Sequence, residues 1–163
     1  MTGVQTCALP ISVGFCALAS NTTGRRNNAF GHLALAGNTA GNYNTAVGDY
    51  SLYKNTTGNG NVAVGINTLR CNTTGTKNTA VGYNALITNV VGANNTAVGN
   101  QALQANTASD NTAVGFCSLR SNTTGCQNVA VGFCALRNNT TGNTNVALGT
   151  TALRDNKIGR AHV

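Results

Sequence analysis

Residues 111–125 read N-T-A-V-G-F-C-S-L-R-S-N-T-T-G, and residues 128–142 return almost unchanged as N-V-A-V-G-F-C-A-L-R-N-N-T-T-G. Moving outward from this pair, the unit recurs along nearly the whole chain. Gly14, Gly31, Gly48, Gly65, Gly82, Gly99, Gly115, Gly132 and Gly149 mark it in steps of 17 residues, with a single step of 16 between Gly99 and Gly115. A leucine follows each by four: Leu18, Leu35, Leu52, Leu69, Leu86, Leu103, Leu119, Leu136 and Leu153. A short fixed period means stacked units that touch only their neighbours. The expected fold is all-β, a parallel β-solenoid (β-roll) of about eight 17-residue coils.

The two ends break the pattern. Residues 158–163, I-G-R-A-H-V, can be written ATC GGA AGA GCA CAC GTC. The reverse complement, read one frame over, encodes T-C-A-L-P-(I), which is the stretch starting at Thr6. Residues 1–11 and 158–163 therefore resemble translated sequencing-adapter DNA and are set aside from the fold, as a fusion scar would be. The expected natural part is one repeat array over 12–157, an internal fragment of a longer protein. The apolar run near the start lacks a basic flank and is not read as a signal peptide.

The formal charge of the chain is +7. Without Arg160 it is +6, from nine basic and three acidic residues. Only 8% of residues are charged, so the basic excess is thin. Arg120, Arg137 and Arg154 share the slot five after the glycine, as does Arg70. On stacked coils the first three form a column about 5 Å apart, which must be solvated or bridged by an anion. Without aromatic interleaving or a recognition motif, no specific nucleic-acid partner is expected. Cys16, Cys117 and Cys134 share one slot, while Cys71 and Cys126 lie elsewhere. This set is no disulfide framework, although Cys117 and Cys134 fall on adjacent coils, which leaves room for one bridge. No C-x-x-C is present, so no zinc site or other cofactor is expected.

Within one repeat, N-T-A-V reads as a short strand. Thr45/Val47, Val62/Val64, Thr79/Val81, Thr96/Val98, Thr112/Val114, Val129/Val131 and Val146/Leu148 share one face by alternation. These residues, β-branched apart from Leu148, suit a half-buried pleated surface and are assigned to the core. The opposite face holds only alanine, so something packs closely on it. The glycine implies a positive φ or a close backbone approach. The x-x-A-L segment reads equally as a second strand or a helical turn, with its leucine inside. N-T-T-G is a turn. The short repeat at 106–111, N-T-A-S-D-N, is a loop edit that spares the strand beat. Two asparagine columns, one before the strand and one before T-T-G, suit stacked amide ladders. Three sizeable buried side chains per coil barely match the entropy of ordering the coil. Burying the alanine face against partner chains would help, and an oligomer is expected.

The strand-turn unit N-[TV]-A-V-G-x-x-A resembles the head repeat of trimeric autotransporter adhesins, S-V-A-I-G-x-x-A, over residues 12–157. That resemblance implies a left-handed parallel β-roll, a homotrimer, and an extracellular place on a bacterial surface or outer membrane. It also implies binding to extracellular matrix, a cell-surface glycan or another surface ligand, with no membrane contact by this segment. The family repeat is shorter, and the extra residues here enlarge the A-L-x-x-N-T-T-G side. Similar N-T-A-V-G-Y-x-A-L arrays occur in phage tail-fibre proteins that end in a self-cleaving chaperone, which implies a virion shaft instead.

Repetition without a unique residue cluster suits a multivalent fibre. Ice or crystal binding is the rival reading, from ranked threonines such as Thr56/Thr57 and Thr73/Thr74, but adjacent threonines diverge on an extended chain. Polysaccharide cleavage needs clustered carboxylates, whereas Asp49, Asp110 and Asp155 lie in three different slots. No enzyme is expected. Phased valine, alanine and leucine slots argue against low-complexity disorder. The slot after the glycine varies most, and it and the arginine column give the candidate surface contacts: Tyr83, Phe116, Phe133, Arg120, Arg137 and Arg154.

Overall fold

The computed structural model describes residues 9–156. Of the adapter-like residues, 1–8 and 158–163 lie outside that range, while Ile11 opens the first strand. Among the described residues nine three-residue strands follow one another: β1 Ile11–Val13, β2 Asn28–Phe30, β3 Thr45–Val47, β4 Val62–Val64, β5 Thr79–Val81, β6 Thr96–Val98, β7 Thr112–Val114, β8 Val129–Val131 and β9 Val146–Leu148. They form one parallel sheet in sequence order, each paired with its neighbours. Register is strict: Thr79 faces Thr96, Ala80 faces Ala97 and Val81 faces Val98. The short repeat keeps it, since Ala97 still faces Ala113. The fold is thus a β-solenoid of about eight turns, as the period predicts.

The two faces of the strand are the reverse of the expected assignment. The alanines, Ala29 through Ala147, are fully buried, and the residues flanking them point outward, half-buried or exposed. Val47 and Val98 are more than a third exposed. The alanine face therefore needs no partner chain. It packs on the leucine column of its own chain, where Leu35 through Leu136 are fully buried. A coil this narrow has room between its walls for one leucine and small residues only. Two valines per coil would overfill it. Each coil thus buries one large apolar side chain rather than three, and the oligomer argument from the alanine face falls.

The x-x-A-L segment is neither strand nor helical turn. Its residues alternate in hand, with Asn84 at φ 56° and Leu86 at φ 51°, and the same two slots are left-handed in every coil. Left-handed backbone costs an L-residue on the order of 1–2 kcal/mol. Alternation lets successive amides bond in different directions. The Asn84 amide donates to Ile66 in the preceding coil, Ala85 to Gly82 within the turn, and Leu86 to Ala102 in the following coil. The strand-ending glycine meets both expectations at once. Gly82 has φ +124°, and a Cβ there would stand 2.6 Å from the Gly99 carbonyl oxygen of the next coil.

Both asparagine columns are buried ladders. Before T-T-G, each Nδ2 donates to the Oδ1 one coil earlier: Asn38 to Asn21, Asn55 to Asn38 and Asn72 to Asn55 at 2.8 Å, then Asn89 to Asn72 at 3.0 Å. The same Nδ2 also closes its own turn, as Asn55 does on the Gly58 carbonyl at 3.1 Å. Before the strand, Asn61 reaches Asn44 and Asn78 reaches Asn61, each through backbone N–H and side chain together. These bonds satisfy amides that would otherwise be costly inside the coil.

The short repeat spares the strands but breaks one ladder. Asn106 Nδ2 turns to the Ala108 carbonyl, and Asn89 Oδ1 is left buried without a donor. Asn111 Nδ2 crosses over to Asn106 Oδ1 at 3.2 Å, and Asn122 takes up the first column again at 2.7 Å.

Candidate interaction surface

The outward columns divide into two surfaces. One is the outer face of the sheet, with Thr45, Val62, Thr79, Thr96, Thr112, Val129 and Val146 in one rank and Val47, Val64, Val81, Val98, Val114, Val131 and Leu148 in the other. It is uncharged over seven coils. The other surface is built by the turns after the glycine, where slots one, two and five lie side by side.

On the turn surface the structure places Tyr83, Phe116 and Phe133 about half exposed. Phe116 and Phe133 stack at 5.3 Å between centroids with an interplanar angle of 9°. Parallel rings at that spacing follow from register, because identical residues in one slot leave the backbone in the same direction. Tyr83 does not join them, for its slot neighbours are Ile66 and Asn100. Arg120 and Arg137 belong to the same two coils as the phenylalanine pair and are half-buried, and Arg154 is exposed. Arg120 Nε donates to Gln104 Oε1 at 2.8 Å, which helps to hold the first of the column in place.

Phe116 and Phe133 also stand next to Cys117 and Cys134, both buried. Burial pushes the Cys117 thiol up from its ordinary pKa, and the neighbouring Cys134 adds to this, while Arg120 and Arg137 pull it back. Desolvation disfavours the thiolate more than the guanidinium groups favour it.

A second aromatic cluster escapes a reading by single slots. His32 meets the edge of Tyr50 at 5.2 Å, Tyr50 meets Tyr53 at 5.5 Å, and the Arg70 guanidinium lies 5.3 Å over the Tyr50 ring. Such a cation over a ring face is held by the ring quadrupole. These residues come from slots one, two and five of successive coils. Their one sequence signal is the Tyr50–Tyr53 spacing, whose meaning depends on the coil's shape. Beside them runs a groove of about 610 Å³, lined by Cys16, Leu33, Ala36, Tyr53, Lys54 and Thr56 among others.

Among the described residues, no group of three or more His, Cys, Asp or Glu side chains stands close enough to hold a metal. Nor is any helix there long and apolar enough to cross a membrane. Fold and surface together define a class, the β-solenoid repeat proteins. Beyond that class, no family model, curated protein or solved structure matches the chain.

Proposed function

We propose that the array is a structural and adhesive segment of a surface fibre, which attaches through a repetitive extended face and performs no catalysis. The observation that carries this reading is the strict register, which repeats each exposed slot on every coil. A ligand that is itself repetitive, such as a matrix protein or a cell-surface glycan, would engage several coils at once, and weak contacts would add as avidity. Phe116, Phe133, Arg120 and Arg137 are the side chains proposed to make contact, with Tyr83 and Arg154 as further positions. A homotrimer and an extracellular place, on a bacterial surface or a phage fibre, belong to the same proposal. With the alanines inside, the support for a trimer moves to the uncharged outer sheet face. The test is binding of the purified chain to immobilised collagen, fibronectin and a glycan panel. Binding that drops at least tenfold in a Phe116→Ser/Phe133→Ser variant supports the reading. Binding that is absent, or indifferent to those residues, sinks it.

The outer sheet face favours one second reading, attachment to ice or another crystal. Thr79/Val81, Thr96/Val98 and Thr112/Val114 point outward in register, which sets Thr79, Thr96 and Thr112 in one outward file. The T-T-G threonines serve this less well, because Thr56 and Thr73 donate their hydroxyls to the carbonyl of the next coil. Thermal hysteresis in the purified chain, lost in Thr96→Lys, would favour this reading over adhesion.

A further inference from the structure

We propose that Cys117 and Cys134 form an oxidative modification site, in which a disulfide staples two successive coils of the solenoid. The two cysteines sit two residues after Gly115 and Gly132, in coils whose strands pair Val114 with Val131. The Cys134 amide donates to the Phe116 carbonyl, one residue before Cys117, at 2.8 Å. Both cysteines have φ 54°, so their Cα–Cβ bonds leave the backbone alike. The stacked Phe116 and Phe133 rings confirm a local rise of about one strand spacing. That spacing falls within the roughly 4.4–6.8 Å that disulfides span between Cα atoms. Because the Cα–Cβ bonds run alike, closing the bond draws the two Cβ atoms slightly together, into the roughly 3.5–4.5 Å that disulfides need. Both residues are at least nine-tenths buried, so the thiols share one dry site.

No other described cysteine competes for either partner. Cys16 lies in the first coil, Cys71 precedes a different turn, and Cys126 follows T-T-G on another side of the coil. The guanidinium groups of Arg120 and Arg137 favour thiolate, the attacking form, against the burial that disfavours it. The bond closes a ring of one full 17-residue repeat. It would act chiefly by restricting the unfolded chain. It also lies next to the short coil, where the asparagine ladder is broken.

The reaction is thiol–disulfide exchange with a small disulfide oxidant. One cysteine loses its proton and attacks a sulfur of the oxidant, releasing one thiolate and leaving a mixed disulfide on the protein. The second cysteine loses its proton and attacks the protein-side sulfur, releasing the second thiolate. Two protein thiols are oxidised by two electrons in all, and one external disulfide is reduced to two thiols.

The experiment treats the folded full chain with oxidised glutathione, alkylates the remaining thiols, and digests with trypsin. Cleavage after Arg120 and Arg137 leaves Cys117 on one peptide and Cys134, beside Cys126, on the next, so fragmentation of the linked peptides, or their mass in Cys126→Ser, assigns the bond. The expected result is that link in the wild type and in Cys126→Ser, together with a melting midpoint that rises on oxidation and falls back with reductant. In Cys134→Ser the link and the oxidant-dependent rise are both lost. Alkylation of both thiols after oxidation, a glutathione adduct as the end product, or a link through Cys126 would each overturn the proposal. Should Cys134→Ser fail to fold, the peptide map of the wild type and Cys126→Ser still decides.

Discussion

The coils from Asn38 to Asn89 and the short coil after Asn89 share strands, leucines and register, yet differ in how their turns are joined. In the regular coils the amides of Thr56, Thr57 and Gly58 converge on the Thr73 carbonyl, and the amide ladder continues behind them. Among the described residues no such bonds run from Val90, Val91 or Gly92 to Thr107, and Asn89 Oδ1 lacks its donor. One deleted residue thus separates two kinds of joint. The sheet and leucine column tolerate the deletion because it falls outside both. The T-T-G corner does not, because its bonds depend on a glycine that lets the turn approach its ladder. At Gly75, for instance, a Cβ would collide with Asn72 Oδ1 and the Gly92 carbonyl.

The largest effect tests what the two regions share. Leu69 and Leu103, one in a regular coil and one leading into the short coil, are both fully buried. Leu69→Ala and Leu103→Ala should each cost about 2–5 kcal/mol, and equally, when denaturant midpoints are compared. A much milder Leu103→Ala would mean that the short coil is already loose throughout its core.

A smaller effect should separate the regions. Asn72 stands mid-ladder, bonded to Asn55 below and Asn89 above. Asn72→Ala strands the Asn55 oxygen and should cost about 1–3 kcal/mol. Asn89→Ala removes an oxygen that already has no donor, so its loss should be the lesser of the two. Equal losses would show that the unpartnered oxygen of Asn89 matters no more than a bonded one.

The smallest effect is a gain. A glycine inserted after Ala108 restores the 17-residue period and the missing T-T-G glycine. Its rejoined rung should raise stability by about 1 kcal/mol. An unchanged denaturant midpoint would show that water already serves the broken rung as well as an amide does.

The repeat makes much of this legible in the sequence. Period, strand, leucine column, amide ladders and the constrained glycine all follow from slots that never vary. Orientation did not follow, because alternation reveals two faces without saying which is inside. The alanine, which holds its slot in every strand from β2 to β9, was the better guide: a slot that accepts nothing larger there is an interior slot in a narrow coil. The left-handed leucines were not legible either. Local preference disfavours that conformation, and only the bonds to the coils above and below make it the better choice. On the surface, Phe116 with Phe133 and Arg120 with Arg137 could be read from shared slots. The grouping of His32, Tyr50, Tyr53 and Arg70 could not, because it joins different slots across a corner.

Residue-resolved hydrogen exchange of the native chain tests most directly the central claim, one continuous stack with a weak joint at the short coil. The amides of Thr56, Thr57, Gly58, Thr73 and Thr74 should be protected, and those of Val90, Val91 and Gly92 should exchange markedly faster. Meanwhile Val98 and Val114, on either side in the sheet, should remain as slow as Val64. Uniform protection across all the T-T-G turns, or fast exchange spreading into the strands around the short coil, would contradict it.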